Sequence, residues 1–205
     1  MTASTGCRKA VLFRDGLAPD QALGSLLCIS PETTYVIRDA ESLMQALAAA
    51  DVFRQNGGVA VFALDYEVGA LLEPVVHAAE QIPVDQAEAL ALPRGHLWLF
   101  REARWLTRAE ADSWLLAETN RDAMAGCVRG LPALSAEDYA EKIRQIRAAI
   151  AEGEVYQVNF TFPMDAEIYG SSAQVFLNLA RAQATATAAY IDMPEYQALS
   201  LSPEL

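Results

Sequence analysis

The sequence predicts a mixed α+β chain, and three observations predict it. Short β-rich runs recur through the first 130 residues: AVLFR at 10–14, TYVIR at 34–38, VAVFALDY at 59–66 and HLWLFRE at 96–102. An apolar period of 3.6 residues runs from Tyr139 to Ile150, then gives way to a period of two in VYQVNFTF at 155–162. Finally, AAYIDM at 188–193 and YQALSLS at 196–202 flank Pro194-Glu195 in the manner of a β-hairpin. The chain has 205 residues, 53% hydrophobic and 20% charged. A globular chain of that length buries roughly 70% of its unfolded surface, enough for a core without disulfide or metal staples. Wholesale disorder is excluded by composition. No apolar run approaches the roughly 18 residues of a transmembrane helix.

Two regions divide at about Gly130-Leu131-Pro132, giving 1–130 and 131–205. In the first, Asp39 caps a helix through about Gln55, with Leu43, Leu47 and Ala50 at helical spacing and Gly57 as its stop. VAVFALDY is apolar enough for a strand buried on both faces, and HLWLFRE alternates as a second strand. Thr107 and Glu110 form a capping box ahead of a Trp-bearing helix to about Glu118. Residues 74–95 carry prolines at both ends and in the middle and show no clear period.

In the second region Ser135 and Asp138 sit at N-cap and N3 spacing. Tyr139, Ile143, Ile146 and Ile150 form one apolar stripe, and Gly153 supplies the left-handed residue that ends the helix. The following strand puts Tyr156, Val158, Phe160 and Phe162 on one face and Gln157, Asn159 and Thr161 on the other. That polar face is suited to water or to a polar cavity. Pro163 ends the strand. Ser171 or Ser172 opens a helix through about Gln183, buried by Val175, Phe176 and Leu179. The closing hairpin leads straight into Ser202-Pro203-Glu204-Leu205. A domain seldom ends on an apolar edge hairpin, so the sequence is expected to be the front part of something longer.

Lys and Arg number 15 against 27 Asp and Glu, a net charge of −12. That balance argues against a nucleic-acid surface, which needs clustered cations. Cys7, Cys28 and Cys127 are far apart and lack CxxC spacing, as expected of reduced thiols in a cytoplasmic protein. The histidines are His77 and His96, unpaired in sequence, so no metal site is expected from them. The N-terminus lacks the apolar segment of a secretory signal. Ser30-Pro31-Glu32 and Asp65-Tyr66-Glu67 read as turns rather than as carboxylate sites.

Three segments together resemble the chorismate-utilising enzymes, specifically component I of aminodeoxychorismate synthase. AIAEGEVYQVNFTF (149–162) is similar to the family's Gly-acid-x-Tyr-Gln-Val-Asn signature. ALSLSPEL (198–205) is similar to the start of its Ser-Pro-Glu segment. GGVAVFALDYEVGALLEP (57–74) is similar to an upstream Tyr-Glu-x-Gly stretch. The resemblance implies large antiparallel sheets with outer helices, of which this chain holds the front part. It implies replacement of the 4-hydroxyl of chorismate by ammonia, giving 4-amino-4-deoxychorismate on the way to p-aminobenzoate and folate. Mg²⁺ would hold the substrate carboxylate, and a separate glutamine amidotransferase subunit would supply the ammonia. Glu204 matches a general acid/base of the Ser-Pro-Glu motif. Tyr156 and Asn159 match a strand beside an amino-acid pocket. The family's Pro-Ile-x-Gly-Thr segment, with the lysine that separates aminodeoxychorismate from anthranilate synthases, is not in this sequence, nor are the metal-binding glutamates. The alternatives are therefore an anthranilate synthase component I-like enzyme and a non-catalytic binding module.

Overall fold

The computed structural model describes residues 7–72, 93–117 and 124–201. In chain order it forms β1 (Ala10–Arg14), β2 (Ser25–Ile29), β3 (Thr33–Ile37), α1 (Ala40–Gln55), β4 (Val59–Leu64), α2 (Val68–Leu72), β5 (Gly95–Phe100) and β6 (Glu102–Leu106). Then follow α3 (Arg108–Leu116), β7 (Gly126–Pro132), α4 (Ala136–Glu152), β8 (Met164–Tyr169), α5 (Ser172–Ala182), β9 (Ala188–Asp192) and β10 (Gln197–Ser200). The fold is α+β, and every strand pairing is antiparallel. One sheet has the order β10-β9-β1-β2-β6, a second β3-β5-β4 and a third β7-β8.

Alternation along single strands builds the layers. In β1, Ala10 and Leu12 enter a core with Phe176 and Leu177 of α5 and Ala111 and Leu115 of α3. Val11, between them, enters a second core with Trp98 and Phe100 of β5. The same split separates Leu27 from Cys28 and Tyr190 from Ile191. The other face of β5 sends Leu97 and Leu99 into a third core, under Leu43, Ala46 and Ala50 of α1. The order is therefore helices, five-stranded sheet, three-stranded sheet, helix.

The helix boundaries follow their caps. Asp39 accepts from the Ser42 N–H while Ser42 Oγ accepts from Asp39, and Thr107 and Glu110 make the same reciprocal pair. Ser135 caps α4 by accepting from the Asp138 N–H, and Gly153 ends it at φ 76°. Gly170, at φ 80°, turns the chain from β8 into α5, where a Cβ would sit 2.6 Å from Ala125.

Several expectations need correction. VAVFALDY is an edge strand in which only Val61 is buried. The strand covered on both faces is β5, buried at all six positions, because the order β3-β5-β4 sets it in the middle. On α1 the covered face is Leu43, Ala46 and Ala50, whereas Leu47 is exposed. On α5, Leu177 is buried and Leu179 is not. The stripe of α4 is amphipathic, yet no residue of that helix is fully buried. Residues 155–163 form no strand; β8 begins at Met164, after Pro163. Strands β2, β6 and β7 were not expected. Strand β7 runs across residue 130, and β9 and β10 complete the sheet begun by β1 and β2. Most of 74–95 lies outside the described residues.

Candidate functional site

Two of the sequence-derived candidates sit together after α4. Gly153 turns the chain out of the helix, and the next residues run without regular secondary structure to Pro163. Phe160 and Phe162 hold this segment down by packing on Tyr139 of α4, with ring centroids 5.8 and 5.9 Å away. The polar side chains stand in solvent. Gln157 Nε2 donates to Asn159 Oδ1 at 3.3 Å, Asn159 is exposed, and Tyr156 is 93% exposed. Glu204 lies outside the described residues, but the strand that leads to it is anchored. Leu201 packs on the core under α5, and its carbonyl accepts from Gln183 Nε2 at 3.2 Å.

The β9–β10 hairpin is fixed at its turn and at the strand pair beside it. At the turn, Met193 and Tyr196 exchange backbone hydrogen bonds, and Glu195 accepts from the Trp98 indole N–H at 2.7 Å. His96 stacks on Trp98 with centroids 5.5 Å apart and lies 5.5 Å from the Tyr196 ring. Burial holds its pKa below the usual value, opposed by the Glu195 and Asp65 carboxylates. Beside the turn, the buried Asp192 carboxylate accepts from three donors. These are the Arg8 backbone N–H at 3.1 Å, the Tyr190 hydroxyl at 3.4 Å and Gln197 Nε2 at 2.6 Å. Ser172 Oγ lies 3.1 Å from the Tyr190 oxygen. Burial raises the Tyr190 pKa, so this hydroxyl keeps its proton across the neutral range.

Beside this network a cavity of about 450 Å³ opens between α5, β10 and the β7–β8 hairpin. Its wall is mainly apolar, with Ile168, Val175, Leu179 and Leu199, and its polar groups include Ser172 and Gln197. Neither Tyr156 nor Asn159 lines it. Sequence reasoning missed Asp192, Gln197 and Ser172 as a group. They lie in three separate elements: the pairing of β9 with β10 sets Gln197 opposite Asp192, and the packing of α5 on β9 brings Ser172 to Tyr190. Among the described residues no group of three or more His, Cys, Asp or Glu side chains could hold a metal ion. Among the described residues no helix is long and apolar enough to cross a membrane.

The sequence that folds in this way is matched by the model of a known family. The model of the chorismate binding enzymes matches residues 17–205, and the chain belongs to that family. Among its relatives is aminodeoxychorismate synthase component 1 of Klebsiella aerogenes, 42% identical over 71 residues, 35% of this chain and 16% of the relative. The protein of the same name from Salmonella typhimurium is 32% identical over 104 residues, 49% of this chain and 21% of the relative. That from Escherichia coli K12 is 35% identical over 71 residues, again 35% and 16%. The matches thus span about a fifth or less of these relatives' length.

Proposed function

We propose that this chain forms the front part of an enzyme that converts chorismate and ammonia to 4-amino-4-deoxychorismate, the precursor of p-aminobenzoate and folate. The observation that carries this reading is the family match over residues 17–205 together with relatives that share the name aminodeoxychorismate synthase component 1. In this reading Glu204 is the general acid. Hydroxide is a poor leaving group, so the departing 4-hydroxyl must be protonated as its C–O bond breaks, and a carboxyl group suits that task. The anchored Leu201 fixes where the motif starts. The described residues offer no metal ligand set, so Mg²⁺, if the whole enzyme uses it, is held elsewhere. The name component 1 fits a second subunit, which would be a glutamine amidotransferase delivering ammonia.

A chimera in which this chain replaces the equivalent front part of the E. coli relative tests the reading. Ammonia-dependent formation of aminodeoxychorismate is expected, with a loss of about 10²–10⁴-fold on Glu204→Ala. Turnover within about threefold of the parent chimera, against that expected range, removes Glu204 from catalysis. Anthranilate as the product shifts the assignment to that reaction. A folded chimera that leaves chorismate untouched supports a binding module instead.

A further inference from the structure

We propose that the cavity between α5, β10 and the β7–β8 hairpin binds a small primary ammonium carrying one apolar ring. At about 450 Å³ it falls within the range of small-molecule sites and suits a single-ring body. The apolar wall of Ile168, Val175, Leu179 and Leu199 would cover that body.

The hydrogen-bond network sets the polarity of the head group. Asp192 only accepts, so the Tyr190 hydroxyl spends its proton on Asp192. The Ser172 hydroxyl must then donate to the Tyr190 oxygen, which leaves Ser172 Oγ with lone pairs to offer. Gln197 is oriented by the same carboxylate: its amide nitrogen donates to Asp192, so its Oε1 is the atom left to accept. Both polar residues line the cavity, and each is one or two hydrogen bonds from a carboxylate that is 5% exposed. Among the described residues no Lys, Arg or His lines the cavity. The start of α5 contributes roughly half a positive charge near Ser172, and Arg8, whose charge also reaches Tyr190, spends its guanidinium on the Trp114 and Leu115 carbonyls and does not line the cavity. Donors are favoured and anions are repelled, so this site is distinct in chemistry from one for chorismate, a dicarboxylate. The proposal does not depend on the reaction proposed above.

Cys127 lines the cavity and is exposed, whereas Cys7 is exposed and lies outside its lining. Alkylation of the 205-residue chain by iodoacetamide, read by mass spectrometry at each cysteine, therefore reports occupancy. The probe is phenethylamine, with 3-phenylpropionate and ethylbenzene as its anionic and neutral counterparts. Phenethylamine is expected to slow alkylation of Cys127 but not of Cys7, and to act at about tenfold lower concentration than ethylbenzene, as a charge-assisted hydrogen bond would give. Phenylpropionate is expected to protect neither. Gln197→Leu removes one acceptor at an exposed edge position, and Ser172→Ala removes the other. Each should weaken protection by the amine while leaving that by ethylbenzene in place. Protection by phenylpropionate equal to that by the amine overturns the proposal. So does equal protection by ethylbenzene, which would mark a merely apolar cavity. Absence of any protection at about 10 mM amine, a concentration far above that needed for a 1 mM site, overturns it as well.

Discussion

His96 shows how one side chain ties stability to pH. It is 5% exposed, its Nδ1 has no partner among the described residues, and it is pressed between Trp98 and Tyr196 where the two sheets meet. Glu195 and Asp65 draw its pKa up, Arg38 and burial push it down, and burial is the largest effect. The folded pKa thus lies below the unfolded value near 6.5. Its contribution is complete above that pH and is lost progressively as pH falls below it. Thermal unfolding should show a falling Tm from pH 7 to 5 in the wild type and a flatter profile in His96→Phe. An unchanged profile would assign the acid sensitivity to other groups. The residue was visible in the sequence as a lone histidine, but its orphaned nitrogen was not, because that depends on which strand covers β5. Glu204, singled out by its motif, lies outside the described residues.

At the scale of elements, local signals located the helices well. Three of the expected caps, Asp39, Thr107 and Ser135, are the observed ones, since a cap is set by residues within one turn of it. Helix α3 covers the core through Ala111 and Leu115, so fraying its start has a cost there. Thr107→Ala should lower stability by about 1 kcal/mol in urea unfolding, with little change in the slope. An effect near zero would mean that Glu110 alone holds the first turn. The alternating run at 155–162 is the instructive failure. Its period is right for a strand, but a strand exists only when its backbone groups find a neighbour. The third sheet uses Met164–Tyr169 to pair with β7, and residues 155–163 are held by Phe160 and Phe162 on Tyr139 and by one backbone hydrogen bond from Ala133 to Pro163.

Across the whole molecule, burial is uneven. The two main sheets and the helices α1, α3 and α5 share three cores. By contrast β8 is exposed at every position and α4 has no buried residue, although its stripe is apolar. In the five-stranded sheet β10 pairs only with β9, so its outer edge is open among the described residues. Open edges and uncovered apolar stripes recruit other chains. The purified 205-residue chain should therefore self-associate with rising concentration in sedimentation velocity, and Ile146→Lys, on the α4 stripe, should reduce the association. A monodisperse monomer at all concentrations would show that these surfaces tolerate water. The same chain alone should leave chorismate, Mg²⁺ and ammonium at the no-enzyme blank. Formation of aminodeoxychorismate by it would mean that the residues present suffice for the chemistry.

The sequence by itself determined the elements that depend on near neighbours. These are the caps of α1, α3 and α4, the stop at Gly153, the Pro194-Glu195 hairpin and the motifs that place the chain among chorismate-utilising enzymes. The tertiary structure decided which strand is central, which face of α1 is covered, and that β9 and β10 join a sheet started some 180 residues earlier by β1. It also assembled Asp192, Tyr190, Gln197 and Ser172 beside one cavity. The physical reason is range. Caps and turns are closed by hydrogen bonds within a few residues, whereas strand order and buried polar networks are set by contacts whose sequence separation no local period records.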